Sequence, residues 1–239
     1  MTIRPTLVLT AHGSVDPRSS ATTRAVAARI RELRPGLDVQ LAFCEKSVPN
    51  LRDVLHQLSG PAVITPLLLA SAYHARVDIP AIVAESGGDA IQADTLGEDP
   101  RLVEVLEQRL TELGPQCWGR GNSDTGVLIV AVGSSHTAAN ARTASLVDSL
   151  TGRHAAVRVA YATGPQPSVA DGIAALRATG VRRIALAPWF IAPGRITDRV
   201  AALAARTGIP MAEPLGAHPL VAATVLDRFD QAITERRAA

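Results

Sequence analysis

Thr6-Leu-Val-Leu-Thr-Ala-His-Gly-Ser14 is a short aliphatic run that ends on a histidine and a turn. Gly126-Val-Leu-Ile-Val-Ala-Val-Gly-Ser134 repeats it about 120 residues later, with valine in the place of the histidine. Runs this short and this rich in aliphatic residues read as buried parallel strands. Two more follow in the first half, Asp38-Val-Gln-Leu-Ala-Phe-Cys44 and Ala62-Val-Ile-Thr-Pro-Leu-Leu-Leu69. Helix-period segments separate them. In the first, Val26, Ile30 and Leu33 recur behind a cap expected at Ser19 or Ser20, and Pro35-Gly36 ends the helix. In the second, Pro49 opens a helix with Leu51, Val54, Leu55 and Leu58 on one face, closed by Gly60-Pro61. A segment around Val77, Ile79, Ile82 and Val83, a strand over 89–96 and a helix over 100–113 complete the half.

Residues 114–125 hold three glycines and no apolar period, which reads as a linker. The order then restarts: strand 126–132, helix near 138–151, strand 155–162, helix 167–179, strand 181–188, helix 196–206, a short strand near 209–215 and helix 219–236. The expected architecture is α/β, two tandem flavodoxin-like or Rossmann-like modules with parallel sheets flanked by helices. The first module spans 1–113 and the second, a degenerate repeat, 126–239. Pro66 falls on Pro188, Asp78 roughly on Asp198, and Leu96-Gly-Glu-Asp-Pro100 on Leu215-Gly-Ala-His-Pro219.

In open α/β sheets the loops leaving the carboxyl ends of the strands form the ligand crevice, so residues about 30 positions apart can converge there. His12, Glu45 and His74 each follow one of the first three runs. In the repeat His12 meets Val132, Glu45 meets the Ala162-Thr163 region, and the Tyr73-His74 loop shortens to Pro193-Gly194-Arg195. Residues needed only for the fold should recur in both copies. Their restriction to one copy points to function.

Composition narrows the classes. Hydrophobic residues make up 47% of the 239, enough for sizeable cores, while 3% aromatic content argues against base stacking on single-stranded nucleic acid. A formal charge of +2 offers no general field for DNA or membranes. Cys44 and Cys117 form no CxxC pair, which argues against an iron–sulfur cluster or structural zinc and suits a reducing cytoplasm. The apolar run near the N-terminus is shorter than a signal peptide's, and no stretch approaches the roughly 18 apolar residues of a membrane span. A cytoplasmic protein, monomer or homodimer, is expected. No Walker loop and no GxGxxG appears, so no organic cofactor is expected.

Ala11-His-Gly-Ser14, Phe43-Cys-Glu45 followed by Pro49, and Pro66-Leu-Leu-Leu69 leading through Ala72-Tyr-His74 to Asp78-Ile-Pro80 resemble the class II chelatases, most nearly the sirohydrochlorin cobaltochelatase and ferrochelatase group. Ala72 stands where that family often has glycine, and Cys44 where it usually has an aliphatic residue; neither removes a ligand. The resemblance implies that His12, Glu45 and His74 bind a divalent metal substrate, Co²⁺ or Fe²⁺, and handle pyrrole protons. Sirohydrochlorin or a related tetrapyrrole would lie in a cleft between the modules. Its carboxylates would be met by the amides of Gly13 and Ser14 and by Arg18, Lys46, Arg76, Arg195 and Arg199. The chemistry asks for such a set independently: neutral imidazole suits Co²⁺, Fe²⁺ and Ni²⁺, and a sparse, open site releases the ion again. Cobalamin and siroheme biosynthesis both stay open, as do a nickel or other tetrapyrrole chelatase and a non-catalytic carrier. A phosphatase using His12 would want arginine before it, where Ala11 stands. Cys44 reads as a small buried hydrophobe, His136 as part of a helix cap, and His56, His154 and His218 as surface residues. Trp118 is expected to pack or to make an oligomer contact.

Overall fold

The computed structural model describes residues 5–71, 73–118 and 124–238, without the side chains of His74 and Gln116. Two compact units form, one from Met1–Asp99 with Ala217–Ala239 and the other from Pro100–Gly216.

In the first unit β1 (Thr6–Ala11), β2 (Val39–Phe43), β3 (Ala62–Pro66) and β4 (Ala90–Gln92) form a parallel sheet in the order β2-β1-β3-β4. The order reverses direction at β1 and β3, which leaves a crevice at their carboxyl ends. Alternation along the strands fills both faces. Val8, Ala42 and Ile64 pack with Leu51, Val54 and Leu55 of α2 (Leu51–Gln57) and Ile79 of α3 (Ile79–Ser86). On the other side lie α1 (Pro17–Leu33) and α9 (Pro219–Ala238), in contact with each other and with β2 and β3 respectively. Asp16 caps α1 by accepting from the Arg18 amide, and Pro17 opens its first turn, so the cap lies upstream of the expected Ser19 or Ser20. An aspartate followed by proline fixes that start better than a serine inside the first turn can.

The second unit repeats the order with β5 (Thr125–Ala131), β6 (Ala156–Tyr161) and β7 (Arg183–Pro188) in the parallel sheet β6-β5-β7. One face carries α7 (Val169–Ala178) and α8 (Arg195–Thr207), packed on Leu128, Val130 and Leu186. The other carries α6 (Leu146–Leu150), which follows α5 (Thr137–Ala144), and α4 (Pro100–Thr111), which packs on β7. Among the described residues the expected strand near 209–215 is reduced to a single bridge, Met211 to Leu186.

The expected boundaries at 113 and 126 follow the repeat in sequence, but packing divides the chain elsewhere. Helix α4 buries Leu102, Val103, Val105, Leu106 and Leu110 in the second unit, and α9 buries Val221, Ala222, Val225 and Phe229 in the first. Each module is thus completed by the helix that follows the other module's last strand or bridge. Equivalent arginines staple the exchange. Arg228 of α9 donates to the carbonyls of Thr95 and Leu96 at 3.1 and 2.9 Å and to Asp99 Oδ2 at 3.0 Å. Arg109 of α4 donates to the Leu215 carbonyl at 3.3 Å.

The segment expected to be a linker has structure of its own, a 3-10 turn at Pro115–Cys117 followed by Trp118. The Trp118 ring lies 5.6 Å from that of His154. His154 is buried, not on the surface, with Nε2 3.0 Å from Glu107 Oε1. Among the described residues no helix is long and apolar enough to cross a membrane.

Candidate active site

The strand order explains why His12 and Glu45 meet. β1 lies between β2 and β3, and its last carbonyls are held from both sides: Thr10 O accepts from Leu67 at 2.7 Å and Ala11 O from Cys44 at 3.0 Å. The Glu45 amide then donates to His12 O at 3.0 Å. Gly13, at φ +93°, passes so close beneath that an added Cβ would stand 1.7 Å from Glu45 O. Only glycine fits both the conformation and the gap.

This frame sets His12 Nε2 3.4 Å from Glu45 Oε1, with the side chains 38% and 42% exposed. His12 Nδ1 lies 2.8 Å from Gly13 O. A carbonyl can only accept, so Nδ1 carries the hydrogen, and in the neutral form of the ring the Nε2 lone pair faces Glu45. Two acceptors then face each other across a gap suited to a cation. An ion about 2.1 Å from both atoms would see them at roughly 108°, close to a tetrahedral angle. Among the described residues no group of three His, Cys, Asp or Glu side chains is arranged to hold a metal. The described part of the site is a pair, open on its outer side.

His74, the third expected ligand, begins a π-helical turn, His74–Asp78, on the carboxyl side of β3; its side chain lies outside the described residues. Ala72 lies outside them too. That turn delivers a group the sequence did not single out as functional. Burial, then the carboxylates of Asp78 and Glu45, push the Cys44 thiol up to about 11 from its ordinary 9.0, so Asp78 adds negative charge beside Cys44 and Glu45. Asp78 does stand in the Asp-Ile-Pro stretch after His74, and its overlay on Asp198 of the repeat reads as part of the frame.

The expected anion contacts are partly engaged elsewhere. Ser14 donates its amide to Ser47 Oγ at 3.1 Å, and Ser47 Oγ donates back to Ser14 O at 2.9 Å. This clasp ties the β1 loop to the β2 loop and takes up the amide expected to face substrate. Arg18 forks onto Asp16, its own helix cap, with Nη2 2.6 Å from Oδ2. Lys46 Nζ lies 2.6 Å from Glu45 Oε1. Arg76 is exposed in the π-helical turn, and Arg195 and Arg199 are exposed in the first turns of α8 in the second unit. His136 occupies the N-cap position of α5, as expected.

Residues 6–113 and 126–232 match the family model CbiX. A sirohydrochlorin ferrochelatase of Priestia megaterium is 24% identical over 185 residues, 72% of this chain and 68% of that protein. A sirohydrochlorin cobaltochelatase of the same organism is 21% identical over 200 residues, 79% of this chain and 65% of that protein. The solved structure of SirB from Bacillus subtilis with Fe3+ is similar to this fold with a TM-score of 0.82 at 17% identity, over 99% of this chain and 98% of that one.

Proposed function

The chain belongs to the CbiX family, and on that premise we propose that it inserts Co²⁺ or Fe²⁺ into sirohydrochlorin, the activity for which its curated relatives are named. The observation that carries the reading is the His12–Glu45 pair, 3.4 Å apart at the carboxyl edge between β1 and β2. Insertion needs a metal held by few ligands, and it needs acceptors for two pyrrole protons. An imidazole nitrogen and a carboxylate oxygen facing one gap meet both needs, first as ligands and then, once the ion has moved to the macrocycle, as bases. His74 is assigned the third ligand position, since its backbone leaves β3 on the same edge. Asp78 adds charge that favours capture of the cation. Arg76 is assigned to the substrate's carboxylates, for which a forked guanidinium group is suited.

The test is insertion by purified protein, followed by absorbance, with Co²⁺, Fe²⁺ and Ni²⁺ supplied separately to sirohydrochlorin. Turnover with cobalt or iron is expected, and loss of turnover in His12→Ala and His74→Ala. Stoichiometric binding of metal and tetrapyrrole without turnover would replace the enzyme by a carrier.

A further inference from the structure

Among the described residues Lys46 is the non-glycine residue with φ in the left-handed region, at 58°. The second module places glycine at the equivalent point: Gly164 follows Thr163 as Lys46 follows Glu45, and its φ is 96°. The equivalence is fixed by hydrogen bonds, because Thr163 donates to Val132 O at 3.0 Å as Glu45 does to His12 O. A left-handed conformation is unfavourable for a residue with a Cβ, and strain of this kind persists where a side chain is wanted. The turn itself needs only glycine.

What the lysine side chain does is visible in its contact. Its Nζ takes the same oxygen, Glu45 Oε1, that faces His12 Nε2. An ammonium has donors and no acceptor, so it cannot ligate a metal; it can only compete for the carboxylate. A divalent ion settling between His12 and Glu45 must displace Lys46 or tolerate its charge nearby.

We propose, resting on the chelatase reading above, that Lys46 is a positioning residue that occupies Glu45 Oε1 and holds down the affinity for the divalent metal, so that the ion passes on to the macrocycle. For a singly and a doubly charged group about 5 Å apart in a water-like medium, the repulsion corresponds to about tenfold in affinity. The consequence for catalysis has two parts. Without the competing charge the metal binds better and leaves more slowly.

Three variants separate charge from strain. Lys46→Met removes the charge and keeps the stem, Lys46→Gly removes the charge and relieves the backbone, and Lys46→Arg keeps the charge. Co²⁺ affinity is measured by equilibrium titration without tetrapyrrole, and KM for Co²⁺ and kcat are measured with saturating sirohydrochlorin. Both neutral variants should bind Co²⁺ about tenfold more tightly at low salt, with the gain shrinking at about 0.5 M salt. Their KM for Co²⁺ and their kcat should both fall, whereas Lys46→Arg stays within about twofold of wild type. Lys46→Gly should in addition melt at a higher temperature than Lys46→Met, which confirms the strain. A wild type that turns over while the neutral variants bind Co²⁺ no more tightly overturns this inference and leaves the function standing. A wild type that binds Co²⁺ and inserts neither Co²⁺ nor Fe²⁺ overturns the chelatase reading, and the affinity comparison still decides the role of Lys46. If wild type and neutral variants bind neither Co²⁺ nor Fe²⁺, both fall.

Discussion

At the edge of the first sheet Gly13 turns beneath Glu45 O, and at the edge of the second Gly133 turns beneath Gly164 O, each where an added Cβ would collide. The clasp that closes each turn is also reproduced, though by different means. Ser47, from the loop after β2, holds both the amide and the carbonyl of Ser14; Asn140, from α5, holds those of Ser134 at 2.9 and 2.6 Å. The glycine turn has thus been kept in both copies, with the facing carbonyl one residue further along in the second, while the side chains around it have diverged. His12, Glu45 and Lys46 stand where Val132, Thr163 and Gly164 stand in the repeat. The frame is a property of strand order and glycine, and the proposed metal ligands are side chains carried by one of its two copies.

The comparison breaks most visibly at the imidazole. His12→Ala should lower the insertion rate by about 10²- to 10⁴-fold, the range for removing a positioned acid–base group, while Val132→Ala should leave it unchanged. Both side chains are partly exposed, so the unfolding free energy from urea titration should change by no more than about 0.5 kcal/mol in either variant. Equal loss of activity in the two would show that the edges are functionally equivalent. Gly13→Ala and Gly133→Ala test the opposite expectation, that the frames matter equally for folding. Left-handed strain and a backbone clash together should cost about 2–5 kcal/mol in each, read from urea unfolding.

A smaller asymmetry is expected at the arginine staples. Arg228→Met breaks three bonds, one of them to the buried carboxylate of Asp99, and should cost about 2–3 kcal/mol. Arg109→Met breaks one long bond to Leu215 and an i,i+3 ion pair with the exposed carboxylate of Glu112, and its buried Nε has no partner to lose, so about 1 kcal/mol is expected. The difference has a sequence origin, since His218 stands where the first module has Asp99. The smallest effect concerns alkaline pH. The Cys44 thiol is raised by burial and by two carboxylates, so its protonated form is favoured in the folded state. Below its ordinary 9.0 that contribution is fully present, and it is lost as pH rises through the window from 9.0 to about 11. Cys44→Ala should therefore flatten the alkaline limb of the stability profile, measured by thermal melts across pH.

Much of this was legible from residue patterns. Aliphatic runs ended by His12, by Glu45 and by Pro66 mark the central strands, and parallel order brings the first two loops together without any local motif. The helix exchange was not legible, because the amphipathic stripes of α4 and α9 say only that each must cover a sheet, not which one. Likewise His154 sits in a polar stretch that reads as surface, and its partner Glu107 is 47 positions away on that exchanged helix. The reassignment of Ser14, Arg18 and Lys46 follows from short-range competition: Ser47, Asp16 and Glu45 lie close enough to take their donors first. Such pairings depend on rotamers and loop conformation, which periodicity does not report.

The position of α9 bears on biogenesis. The helix that shelters β3 and α1 is translated well after the sheet it covers, so part of one apolar face stays bare until α9 has been made. At about 5–20 residues per second that interval lasts on the order of seven to thirty seconds. A stop before α9 would leave His12 and Glu45 encoded but their scaffold partly uncovered, and a nascent chain in that condition is a natural client for chaperones.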